Sequence, residues 1–161
     1  GGSDAGGAAH GNVPRLVAAD DAFFHRESLG LSMQALREAG TFCDATVLVG
    51  GRTFHVHRVV IAGGSEVLAA MFTAGLREGK TQTAELPEMD AASFETLLRF
   101  LYTGNATFPS PDAAPVLAVL KAADRLAVPR LKNIASAFLS SLLGVPTAKR
   151  SSGSGENSFG G

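Results

Sequence analysis

An α+β architecture, a helical cluster flanked by a small three-stranded sheet, is what this sequence predicts, and three observations carry the prediction. Strand-like runs are few and lie close together, between Asp44 and Pro87. Helical periodicity dominates the rest of the chain. The order is helix, hairpin, two helices, strand, then three helices. It lacks the regular strand–helix alternation of a doubly wound sheet. The 161 residues suit one domain with some tail, since domains typically hold about 100–150 residues. We expect a folded unit over 13–144, between a Gly/Ala-rich segment (1–12) and a Gly/Ser-rich tail (145–161), both disordered because they offer almost nothing to bury.

Each element follows from local signals. Ser28 is placed to cap a first helix, whose Leu29, Met33 and Leu36 fall at i, i+4 and i+7. Leu31, Ala35 and Ala39 form a second apolar stripe roughly opposite the first, at ~100° per residue. A surface helix needs only one buried face. Either both faces are covered within the domain, or the second meets another subunit. Gly40 fits a helix stop. "DATVLVGGRTFHVH" reads as two strands around Gly50-Gly51, where a tight hairpin demands positive φ. "RVVIAGG" and "SEVLAAMFTAG" read as consecutive short helices, the second capped by Ser65. "TAELP" supplies a third strand. Asp90 caps a helix carrying Phe94, Leu97, Leu98 and Leu101 and ending at Gly104. Ser110-Pro111 begins the next, with Val116, Leu117, Leu120, Ala123 and Leu126, since proline suits a first turn. Pro129 begins the last, through Leu131, Ile134, Phe138 and Leu142.

Composition narrows the function. Hydrophobic residues make up 45%, enough for a packed core. A net charge of −1 and a pI of about 6.5 give no basic stripe to hold nucleic acid. One cysteine cannot form an internal disulfide, a Cys-rich zinc site or a redox pair. Apolar runs such as "VLAVL" are far too short to cross a bilayer, and no basic-then-apolar leader opens the chain. The expectation is a soluble protein of the cytoplasm or nucleus, with neither nucleic acid nor membrane as partner.

The candidate chemistries are thin. His55 and His57 share a strand face if the strand runs through both, but zinc wants four ligands, or three plus water. Cys43 is the only thiol and stands beside Asp44, an anion that would raise its pKa. The Gly50-Gly51 and Gly63-Gly64 pairs lack the spacing and lysine of a phosphate loop. Glu85, Glu88 and Asp90 read as loop charges and a helix cap. No catalytic, cofactor or metal site is expected.

Four segments, "LREAGTFCDATVLVGG", "FHVHRVVIAGGSEVLAAMF", "ELPEMDAASFETLLRFLYTG" and "AADRLAVPRL", stand in the order and at the spacings of a known family. From about Ser28 to Leu143 the chain resembles the BTB/POZ domain. His57-Arg58 looks like that family's His-Lys/Arg step, where the second strand hands over to the helix beneath. The resemblance implies a non-catalytic module that forms homodimers through its first helix. The expected interface residues are Leu29, Leu31, Met33, Ala35 and Leu36, with Asp44 and Arg58 as a charged pair near the two-fold axis. The bland role for that pair is a salt bridge within one subunit. Leu76-Arg77-Glu78 matches the apolar-x-Glu pattern of the members that bind Cullin-3, so the resemblance implies a substrate adaptor of a Cullin-3 RING ubiquitin ligase, docking through Leu76 and Glu78. The alternative is a dimerising, corepressor-recruiting domain of a transcription regulator. Two features depart from the family's pattern. Gly30 interrupts the first helix at a cost of ~1 kcal/mol, and the chain turns to Gly/Ser after Pro146 where many cullin adaptors continue in helix, which implies weaker cullin binding.

Overall fold

A computed structural model describes residues 15–76 and 82–144 of the chain. The expected disordered ends and Glu78 lie outside the described residues. Helix α1 (Arg15–Glu38) leads into strands β1 (Ala45–Val49) and β2 (Arg52–Val56). Then follow α2 (Arg58–Gly64), α3 (Glu66–Leu76), β3 (Thr83–Leu86), α4 (Ala91–Thr103), α5 (Ala113–Arg125) and α6 (Pro129–Leu142). The sheet order is β2-β1-β3, with β1 antiparallel to β2 and parallel to β3. Among the described residues this is the α+β arrangement expected, six helices beside a three-stranded sheet.

The hairpin turns where the sequence placed it. Gly50 and Gly51 have φ of 53° and 79°, and two successive positive φ values make the tight turn whose twist matches the flanking strands. The register pairs Val47 with Phe54 and Val49 with Arg52. Val47, Val49, Phe54 and Val56 are buried, so one face of the hairpin closes onto the helices. Phe54 meets Phe94 of α4 edge to face, ring centroids 5.1 Å apart, a favoured aromatic geometry. Ile61, Leu68, Leu97, Leu98, Leu126 and Leu131 complete a core shared by α2 to α6.

Caps set the helix starts. The Asp90 carboxylate accepts the Ser93 N–H at 2.9 Å and opens α4, as expected. Ser65 Oγ accepts the Leu68 N–H at 3.1 Å and donates to the Leu126 carbonyl at 2.5 Å, so one hydroxyl caps α3 and ties it to the end of α5. Two expectations are corrected. Helix α1 runs from Arg15 to Glu38, so Ser28 sits inside it rather than capping it. Helix α5 begins at Ala113 after Asp112, not at Ser110-Pro111. Ser110 Oγ instead binds Asp112, and Pro115 takes the third helical position, still within the first turn where no N–H partner is lost.

Candidate interaction surface

The only cysteine and the buried histidine do meet, so catalysis has to be weighed first. Cys43 Sγ lies 3.8 Å from His57 Nε2. The same nitrogen lies 2.8 Å from the Thr41 carbonyl oxygen. A carbonyl can only accept, so Nε2 carries a hydrogen and spends it there. On the other side Nδ1 lies 2.9 Å from the Tyr102 hydroxyl, which also accepts the His57 backbone N–H at 2.9 Å. Nδ1 is left to accept the Tyr102 hydrogen, and neither ring nitrogen is free to take a proton from the thiol. Burial pushes the Cys43 thiol above its ordinary pKa and Asp44 adds to this, outweighing the opposite pull of Arg37. A thiol held protonated is a poor nucleophile. Burial likewise pushes the Tyr102 hydroxyl up, against the His57 N–H that favours its anion. The cluster is a strut. It locks the strand–helix step at His57 to the end of α4.

His55 and His57 do not act together. His55 is exposed within β2, whereas His57 lies past the strand's end and is 4% exposed. Among the described residues no group of three or more His, Cys, Asp or Glu side chains comes together as a metal site.

What remains is surface, and α1 contributes exposed apolar residues to it. Its inner face is not the stripe expected from Leu29, Met33 and Leu36. Gly30 sits against the end of α4, where an added Cβ would lie 2.7 Å from the Tyr102 carbonyl oxygen. That close approach turns Gln34 and Arg37, at i+4 and i+7 from Gly30, into the body, and both are buried. Arg37 Nη2 pairs with Glu95 Oε1 of α4 at 2.5 Å. Its Nε donates to Gln34 Oε1, and Gln34 Nε2 donates to Glu38 at 2.7 Å. A buried charge needs such partners. Met33 and Leu36 are half-buried, Met33 packing on the core. Leu29 is correspondingly rotated out and stands 53% exposed, as does Leu31. Ala35 is exposed on the same side as Leu31.

Beyond α1, Asp44 and Arg58 form the bland salt bridge within one chain, Nε to Oδ2 at 3.0 Å. The Arg58 N–H donates to Asp44 Oδ1 at 2.8 Å, and Arg58 Nη1 reaches Gln82. Burial opposes ionisation of Asp44, yet the Arg58 hydrogen bonds and charge outweigh it and hold the carboxyl below the usual range. The pair borders an open groove of about 300 Å³ shared with Val59, Ala69 and Phe72. Leu76 is the last residue of α3, and Glu78 lies outside the described residues.

Val59 and Phe42 are among the exposed apolar residues that sequence reasoning did not single out. Val59 is 78% exposed and Phe42 81% exposed, Phe42 with φ 59°, a left-handed conformation that few non-glycine residues adopt. Val59 is the second residue of α2, whose first turn the sequence left unassigned to either face. A large apolar residue beside Cys43 and the strand start gave no hint that it would face outward.

The chain matches the BTB/POZ domain family model over residues 33–143. It is 36% identical to Kelch-like protein 21 of Homo sapiens over 116 residues, 71% of this chain and 19% of that protein. Kelch-like protein 28 of Mus musculus is 32% identical over 131 residues, 81% of this chain and 22% of that protein. The chain thus spans about a fifth of the length of these relatives. The BTB domain of zebrafish PATZ1 superposes with a TM-score of 0.62, covering 73% of this chain and 92% of that one at 21% identity, which speaks to the fold. With the fold and the family match in agreement, the chain belongs to the BTB/POZ domain family, a family of protein-interaction modules.

Proposed function

We propose that this domain homodimerises through the outer side of α1 and serves as the substrate adaptor of a Cullin-3 RING ubiquitin ligase, with the corner at Leu76 and Glu78 meeting the cullin. The observation that carries the reading is the side α1 leaves uncovered. Leu31 and Ala35, one turn apart, are exposed on one flank and Leu29 on the other, while Gln34 and Arg37 are spent inward. Exposed leucines on one helix are a solubility liability in a lone chain. A two-fold contact would cover the same patch twice. Val59 and Phe42 add exposed apolar surface near the Asp44–Arg58 pair. The kelch-like names of the relatives support the adaptor class over the corepressor alternative.

For the cullin contact the support is the apolar-x-Glu pattern at Leu76-Arg77-Glu78, with Leu76 ending α3. An apolar anchor and one carboxylate give a short corner both affinity and orientation. The experiment is a pull-down of purified Cullin-3 by the full 161-residue chain. Leu76→Asp and Glu78→Lys should each weaken capture at least ~30-fold, about 2 kcal/mol, if they are central contacts, and leave the chain's mass in solution unchanged. Capture equal to wild type in both variants would remove the assignment of this corner.

A further inference from the structure

We infer that the free edge of β2 is a second self-association surface, pairing antiparallel with β2 of another copy to join two three-stranded sheets into one. The argument starts from which way the backbone points. The Thr46 N–H donates to the Gln82 carbonyl at 2.8 Å, so the backbone groups of Thr46 face β3. Backbone groups alternate sides along a strand. Ala45, Val47 and Val49 therefore face β2, and their partners Val56, Phe54 and Arg52 face back. That leaves Thr53 and His55 with N–H and C=O directed away from the sheet. The order β2-β1-β3 puts β2 at the margin, and no backbone bond from either residue reaches another described element. Beside this edge runs an open groove of about 400 Å³, bounded by Glu38 to Gly40 at the end of α1, by β2 and by Glu95.

Edges are normally blunted by lysine, proline, a bulge or a covering element. Thr53-Phe54-His55 has no lysine or proline, and the register through it is unbroken. The one fixed charge on the strand, Arg52, is folded back on its own chain, its guanidinium 4.9 Å from the Phe54 ring centroid and 4.0 Å from Glu95. Among the described residues the edge is open at its centre.

The occupant follows from register and charge. Antiparallel pairing centred on Phe54 sets Thr53 opposite His55 of the second copy, and His55 opposite its Thr53. Both are the outward-facing residues, so each pair can exchange two backbone hydrogen bonds. The two Arg52 side chains then stand four residues apart along the strand, about 13 Å, beyond the ~8 Å screening length at physiological salt. A parallel pairing would set them side by side. The groove holds both signs, Arg37 and Arg52 against Glu38 and Glu95. It therefore has no net field to select an acidic or a basic foreign peptide, while a second copy of the same edge meets it without repulsion.

The test measures mass against concentration by sedimentation equilibrium of the full chain, up to ~100 µM, since one short strand pair gives weak affinity. Thr53→Pro deletes an outward donor at an edge position where proline is tolerated, and should weaken the concentration-dependent step at least tenfold. Thr53→Val keeps the N–H and should preserve it. Should Thr53→Pro fail to fold, His55→Pro removes the other donor and carries the same expectation. The contact is independent of the proposed α1 dimer. In a Leu31→Asp background β2 pairing should still give a two-chain species, lost on adding Thr53→Pro. A wild-type mass that never exceeds that of Thr53→Pro would overturn the proposal. So would amide exchange at Thr53 and His55 that stays fast at ~100 µM and slows only on adding an unrelated strand-forming peptide.

Discussion

At the scale of single residues, the features that look like chemistry turn out to be fasteners. Cys43 and His57 come within 3.8 Å, the spacing a nucleophile and base would need to begin from. The Thr41 carbonyl and the Tyr102 hydroxyl occupy both ring nitrogens. Asp44 is a fastener whose strength depends on pH. Its carboxyl is held below the ordinary range by Arg58, against the cost of burial. A depressed folded-state pKa contributes stability that is present above the unfolded value, near 4, and is lost as pH falls through the folded one. Urea unfolding should therefore show stability falling as the pH drops below about 4, and Asp44→Asn should flatten that fall. Asp90, held low chiefly by the Ser93 N–H, keeps part of it in the variant. An unchanged slope in Asp44→Asn would mean that the Arg58 pairing adds nothing to folding. The Asp90 cap and the Gly50-Gly51 turn were legible because they act within four residues of themselves.

At the scale of elements, α1 is where sequence and structure part. Its periodicity offers Leu29, Met33 and Leu36 as the buried stripe, yet Gln34 and Arg37 are buried and Leu29 is not. The cause is Gly30, which reads from sequence as a helix defect and is in fact a contact. Only a residue without Cβ lets α1 approach the Tyr102 carbonyl this closely. That approach fixes the helix's rotation and brings Arg37 to Glu95. Gly30→Ala should thus destabilise, although alanine is the better helix former by ~1 kcal/mol. The clash is with backbone, which no rotamer relieves, and overpacking of this kind costs about 1–3 kcal/mol. We expect a net loss of about 1 kcal/mol, read as a lower urea midpoint at constant m-value. A gain in stability would show that α1 slides away freely. The hydrophobic period could not reveal this, because the inward residues are polar and Glu95, the partner of Arg37, lies 58 positions away.

For the whole molecule, the inward rotation of Gln34 and Arg37 has an outward consequence: α1 presents leucines to solvent. If two copies meet there, Leu31→Asp places a carboxylate in an apolar contact. It should weaken self-association through α1 at least tenfold, about 1.4 kcal/mol, while far-ultraviolet circular dichroism stays that of wild type, because Leu31 is 53% exposed in the single chain. Sedimentation equilibrium separates the outcomes. Equal association in wild type and variant would move the contact elsewhere on the surface.

The sequence by itself determined the class of fold, the order of its elements, the hairpin turn, the start of α4 and α6 and the family, because each is written in local spacing or in motifs read end to end. Tertiary structure decided which side of α1 is inside, whether the Cys43–His57 encounter is reactive, that Asp44 and Arg58 pair within one chain, and that Phe42 and Val59 face out. Those outcomes depend on groups distant in sequence coming into contact, and a polar side chain becomes core only when such a contact supplies its hydrogen bond or counter-charge.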